Sequence, residues 1–194
     1  MSEISDMIQR LCPDGVEYRK LGEVCEIKRG ERVTKAQVSK EGQYPVISGG
    51  VTPMGYIDKF NRKKETITVA QYGSAGYVSL QQSDFWANDV CYSLFPDTNI
   101  IDNKYLFYVL TNSQRRIDGM VNRDAVPFHL PQERFTSLQI PVPPLEVQRK
   151  IVEVLDNFSE LTAKLSSELE ARQKQYEYYR DNLLNFNRGG ANSK

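Results

Sequence analysis

The chain is poor in the side chains on which metal and disulfide chemistry depend. Its 194 residues include three cysteines and one histidine. Cys12, Cys25 and Cys91 are widely separated and form no C-x-x-C pair. That excludes a conventional zinc site and argues against a disulfide framework. No apolar run approaches the roughly 18 residues of a membrane span, and no secretory leader pattern is present. A soluble, cytoplasmic protein without a membrane partner is therefore expected. Charge of one sign is also missing: 25 Lys and Arg balance 25 Asp and Glu. Overall charge points to no particular partner, and only its local distribution carries information.

Familiar catalytic signatures are absent as well. There is no G-x-x-x-x-G-K-S/T phosphate loop and no G-x-S-x-G elbow. His129 is the single candidate base, and its apolar setting (PFHLP) favours a loop-packing role. Pro96-Asp97 followed by Asp102-Asn103-Lys104 mimics a metal-and-lysine nuclease site. The interval is short, however, and each part has a plainer reading. Pro-Asp is an ordinary strand terminator, and Asp102 is placed to cap a helix starting near Lys104. No catalytic or metal-ligating residue is assigned.

What is present is organised in two parts. Before Leu145, short apolar runs are punctuated by Gly and Pro. Strands are predicted over residues 17–27, 44–48, 65–71, 88–95 and 138–142, with a further strand after the YGSAG turn. Residues 104–118 carry helical spacing and end at Gly119, a C-cap candidate. The segment 121–135 reads as a loop. Two basic clusters stand out: Lys28, Arg29, Arg32, Lys35 and Lys40, then Lys59, Arg62, Lys63 and Lys64. Such clusters suit phosphate neutralisation or a solvated loop equally well. Gln71, Tyr72 and Ser74 flank a small-residue turn, Gly73-Ser74-Ala75-Gly76, where backbone can approach a ligand closely.

The second part is a helix. Pro144 suits a first helical turn, and nothing breaks the pattern until Asn187-Arg188-Gly189-Gly190. About 41 helical residues would span roughly 60 Å. Leu155, Thr162, Leu169, Tyr176 and Leu183 fall seven apart. Ile151, Phe158, Leu165, Arg172, Tyr179 and Phe186 form the matching row, giving the a and d positions of about five heptads. A helix–helix partner is expected, with Thr162 and Arg172 interrupting the seam. NRGGANSK reads as a disordered tail.

Several stretches together resemble the specificity (S) subunit of type I restriction–modification systems. They are LCPDGVEYRKLGEVCEIKRG, YPVISGGVTPMGYIDKFN, TITVAQYGSAGYVSLQQSDFWANDVCYSLFP and, most specifically, AVPFHLPQERFTSLQIPVPPLEVQRKIVEVLDNF. The resemblance covers nearly the whole chain and matches a half-length form. It implies an α+β fold: a β-rich target recognition domain (1–143), a long conserved helix (144–187) and a tail (188–194).

It further implies that full-size members carry two such units, whose antiparallel helices hold two DNA readers apart. Here a helix-paired homodimer would rebuild that object and read a palindromic split site in double-stranded DNA. Lys28, Arg29, Lys35, Lys63 and Lys64 would hold phosphates. Arg32, Thr34, Gln71, Tyr72, Ser74, Asn88, Asn122 and Arg123 are candidate base readers. The chain itself would be no enzyme and hold no cofactor. S-adenosylmethionine is expected on methyltransferase (M) subunits, docked at the helix and its PPLEVQ entrance. ATP and Mg²⁺ are expected on the R subunit, reached through the complex. A coiled-coil adaptor that competes with a complete S subunit is the alternative.

Overall fold

The computed structural model describes residues 2–186. The predicted tail and the Asn187–Gly190 stop lie outside the described residues. The fold is α+β. Two compact units divide the chain, Met1–Val152 and Glu153–Lys194.

In the first unit the main sheet has the order β2-β8-β5-β6, all neighbours antiparallel. Its strands are β2 (Cys25–Arg29), β5 (Ile67–Ala70), β6 (Val78–Leu80) and β8 (Cys91–Pro96). Every residue of β5 is buried, which follows from its central position and its β-branched run Ile-Thr-Val. Ile67 and Val69 pack with α3 (Asn103–Asn112) and α4 (Gln114–Met120) through Leu106, Leu110 and Ile117. Thr68 and Ala70 border a cleft of about 280 Å³ shared with Pro45, Ile47 and Val51.

A second sheet has the order β4-β3-β7 and its own small core, Val33, Val46 and Trp86. It is built from β3 (Tyr44–Ile47), β4 (Tyr56–Ile57) and β7 (Trp86–Ala87), with β3 and β7 parallel. A two-stranded ribbon joins β1 (Tyr18–Lys20) to β9 (Gln139–Pro141). Helices α1 (Ser2–Leu11), α2 (Leu21–Val24) and α5 (Gln132–Thr136) complete the unit. Helix α6 runs from Leu145 to Leu184, 40 residues.

Three local expectations change. The strand predicted over 17–27 is interrupted by α2, because Leu21 and Val24 both turn into the main core. The helix predicted over 104–118 is two helices. Ser113, itself buried, caps the first by donating its N–H to the carbonyls of Val109 and Leu110, and its own carbonyl accepts from Arg116 and Ile117. Gly119 therefore lies inside α4 rather than capping it. The loop predicted over 121–135 contains the start of α5, whose Phe135 is fully buried.

Candidate nucleic-acid interface

Each antiparallel pairing of the main sheet ends near Tyr92, where Arg29 faces Tyr92 and Ala70 faces Cys91. The segments leaving this rim are joined to one another. After β5 the chain turns at Gly73 (φ 71°), where a side chain would be doubly excluded. The left-handed backbone favours glycine, and a Cβ would sit 2.6 Å from the Gly49 carbonyl oxygen. That carbonyl accepts from the Ser74 N–H at 2.7 Å, which ties residues 72–74 to the loop after β3.

Asn88 ties in a further segment. Its Oδ1 accepts from Val33 N–H (2.9 Å), while Nδ2 donates to the Val33 carbonyl (3.2 Å) and to Ser48 Oγ (3.3 Å). Arg32, Thr34 and Lys35 thereby line a groove of about 410 Å³ with Ser48 and Asp89. Thr34 uses its hydroxyl locally, donating to Gln37 Oε1 across the short 3₁₀ turn Lys35–Gln37.

The third loop, residues 122–129, is closed by Asn122 N–H to His129 O (2.7 Å) and the reciprocal bond (3.3 Å). His129 stacks on Tyr72 with centroids 5.6 Å apart, in keeping with the loop-packing role its sequence suggested. The next residue, Leu130, donates to the Gln71 carbonyl and accepts from the Tyr92 hydroxyl at 3.0 Å. Arg29 lies 6.0 Å from the Tyr92 ring. Burial pushes the Tyr92 hydroxyl above its ordinary pKa, and the Arg29 guanidinium opposes that rise.

The expected DNA-binding residues thus fall into three groups. Arg29, Arg32, Thr34, Lys35, Tyr72, Ser74, Asn122 and Arg123 belong to the linked rim segments. Gln71 and Asn88 belong to them too but point inward, only 3% and 4% exposed. For Asn88 the base-reading expectation is corrected: its amide is committed to Val33 and Ser48 and has nothing left to offer a base. Gln71 is buried with its Oε1 unpartnered. Lys28, Lys63 and Lys64 form the third group, held in contacts of their own. Lys28 pairs with Glu26 at 2.9 Å and lies over Phe95. Lys63 and Lys64 precede the Ile67 end of β5. Asp84 accepts from the Lys64 N–H (2.9 Å) and Lys63 Nζ (3.1 Å), which holds its carboxyl below the usual range. Lys59 and Lys63 also lie over Trp86 and Phe60, and Arg62 donates to Ser93 Oγ, Asn61 O and Arg29 O. Much of the second basic cluster serves its own fold.

The nuclease-like carboxylates have structural duties. Asp97 accepts from Asn99 N–H at 3.0 Å, and Asp102 caps α3 by accepting from Tyr105 N–H at 2.9 Å. Among the described residues no group of three or more His, Cys, Asp or Glu could hold a metal ion.

At the entrance of α6, Val147 and Gln148 are completely buried. Gln148 Oε1 accepts from Asp102 N–H (2.8 Å), and Nε2 donates to Ile100 O (3.0 Å) and Pro143 O (2.7 Å). This anchor was not foreseen. The residues that the sequence assigned to partner docking at PPLEVQ are partly core, leaving Pro144 and Glu146 exposed. Ile151, expected in the helix seam, packs partly on the same core.

Beyond Val152 the seam is open. Phe158, Leu169 and Leu183 are 64%, 67% and 71% exposed, and Leu155, Leu165, Tyr176, Tyr179 and Phe186 are exposed as well. Thr162 bonds back to the Phe158 carbonyl, and Arg172 pairs with Glu168 at 3.6 Å and Gln175 at 3.2 Å.

Residues 13–171 match the family model for the type I restriction modification DNA specificity domain. The chain belongs to that family. A Mycoplasma pneumoniae protein described as a type I specificity subunit is 32% identical over 171 residues, 86% of this chain and 46% of that one. The specificity subunit of the type I restriction enzyme MpnII, from the same organism, is 30% identical over 88% of this chain and 53% of its own length. The crystal structure of a type I restriction–modification S subunit from M. genitalium shares the fold. Its TM-score is 0.72 at 29% identity, over 84% of this chain and 45% of that one. The chain spans about half the length of these members of the specificity family.

Proposed function

We propose that the chain is a non-enzymatic DNA-reading subunit that recognises one half of a bipartite target in double-stranded DNA. The observation that carries this is the joining of the rim segments, which gathers arginines, a stacked aromatic pair and polar side chains at one end of a rigid sheet. Arg29 and Lys35 supply phosphate contacts, and Arg32, Tyr72, Ser74, Asn122 and Arg123 face the bases. Lys28, Lys63 and Lys64 contribute longer-range attraction only. Among the described residues no helix is long and apolar enough to cross a membrane.

Pairing of α6 with a second copy supplies the other half-site. The seam favours one arrangement. In a parallel pair each residue meets its own copy, so Arg172 faces Arg172. An antiparallel pair centred near Ser167 matches every a position with a d position. Its layers are Leu155–Tyr179, Phe158–Tyr176, Leu165–Leu169 and Thr162–Arg172. The two polar interruptions then occupy one layer, and each Arg172 keeps Glu168 as its partner. Methyltransferase subunits carrying S-adenosylmethionine dock along the remaining helix surface and act where the readers direct them. The R subunit, with ATP and Mg²⁺, joins through that complex.

Two experiments test this. In a Cys12→Ser background, Leu165→Cys and Leu169→Cys chains should form a disulfide-linked heterodimer when mixed. Self-linked Leu165→Cys would show a parallel pair. Coexpression with cognate M subunits should methylate genomic DNA at one palindromic split motif. Helix pairing and M binding without sequence-specific methylation would instead support the competing adaptor.

A further inference from the structure

We propose that the loop between Asn122 and His129 is a wedge that enters the stack of a DNA base step, with Val126, Pro127 and Phe128 as the inserted residues. This rests on the DNA-reading function proposed above and adds a deformation step to it.

The base of the loop is fixed. The two Asn122–His129 backbone bonds close it, the Tyr72 ring stacks on His129, and Leu130 is fully buried and held from both Gln71 and Tyr92. Asn122 also accepts from Asp124 N–H at 3.1 Å, which shapes the first turn. The tip presents three consecutive apolar residues to solvent. Val126 is 95% exposed, the highest value for any large apolar side chain among the described residues, and Phe128 is 47% exposed. An apolar cluster held outward on an anchored loop invites a covering partner.

The chemistry of the tip selects the partner. Val, Pro and Phe carry no hydrogen-bonding side-chain group, so at a base edge they could meet only a thymine methyl. They offer van der Waals surface, which an unstacked base step takes up over a much larger area. Proline removes backbone freedom that insertion would otherwise cost. Arg123 lies 6.0 Å from the Phe128 ring, which puts a cation where phosphates would flank the inserted ring. Three side chains are too small a footprint for a stable protein interface, which needs about 800 Å² per partner. The loop also continues directly into the rim through Tyr72 and His129, so a duplex on the rim would meet the tip.

The test uses the complex with M subunits on the duplex identified from the methylation motif, with 2-aminopurine placed at successive positions of one half-site. Native complex should raise fluorescence severalfold at one step. The V126S/F128S double variant, whose changes lie at exposed positions, should lose that rise and bind the duplex about tenfold more weakly. A rise that persists in the variant belongs to base extrusion by the methyltransferase and overturns the wedge. Unchanged fluorescence at every position of a tightly bound duplex overturns the wedge alone. Loss of the M subunits from the variant, without any unstacking in the native complex, assigns the tip to a protein contact and also overturns it. Failure to bind any duplex overturns the DNA-reading function together with the wedge.

Discussion

Replacing Gln148 with methionine keeps its length and helix propensity but deletes its amide. The native amide satisfies three backbone groups, the Asp102 N–H and the carbonyls of Ile100 and Pro143, at 2.8, 3.0 and 2.7 Å. The side chain is fully buried, so water cannot replace it. A buried group left without its partner costs about 1–3 kcal/mol. Local shifts around the two carbonyls recover part of that, so a total of about 4 kcal/mol is expected. For a unit of this size each kcal/mol lowers the midpoint by roughly 3 °C, which gives about 12 °C. Arg149→Ala, one residue along on an exposed face, should change stability by less than about 0.5 kcal/mol. Urea and thermal unfolding followed by the fluorescence of Trp86 would measure both. If Gln148→Met unfolds within about 1 kcal/mol of the native chain, the amide is not the anchor of the helix entrance.

Leu155→Asp combined with Leu169→Asp should yield monomers by sedimentation. Four leucines leave the paired seam at roughly 2 kcal/mol each, enough to weaken association by more than five orders of magnitude; persistent dimers would mean the seam is wrongly assigned. Deleting Leu165–Ala171 removes the Leu165–Leu169 layers and keeps the remaining matches. It shortens each helix by roughly 10 Å, so the preferred spacer between half-sites should shrink by about three base pairs, or binding should fail. Unchanged spacing with full affinity would sink the ruler role of α6. Burial pushes the Cys25 and Cys91 thiols from 9.0 up to about 12, so at pH 8 a thiol reagent should label Cys12 alone in the native chain and all three when unfolded. Both thiols stay protonated when folded, so stability is full below pH 9 and declines as pH rises toward about 12, where the unfolded chain ionises first.

Periodicity and proline placement made much of the architecture legible. Strands β3, β5 and β9 lie within their predicted stretches, and β8 overlaps its stretch but starts at Cys91 and runs one residue past it to Pro96, because each is a short β-rich run bounded by turn residues. The strand predicted after YGSAG appears as β6. Helix α6 begins one residue after Pro144, whose carbonyl accepts from the N–H groups of Val147 and Gln148. What local pattern could not reveal was which polar side chains turn inward. Asn88 and Gln148 look like exposed polar residues in the sequence, and both are interior fasteners. Their partners lie 55 and 46 residues away, at Val33 and Asp102, beyond any periodic signal. The helix predicted over 104–118 failed for a related reason: Ser113 is a tolerable helix residue until packing buries it and lends its N–H to a cap.

The sequence alone determined the elements that depend on local period: the long α6, its heptad seam with Thr162 and Arg172, and the β-rich character of the residues before it. Those features follow from 3.6- and 2-residue repeats that any neighbour of the chain would read the same way. Only the tertiary structure decided which basic and polar residues share a surface. It joined Arg29, Arg32, Tyr72, Ser74 and Arg123 through the contacts of Gly49, Asn88 and His129, and it spent Lys63 on Asp84 and Phe60. Burial and pairing are properties of position in three dimensions, and residue type by itself leaves them open.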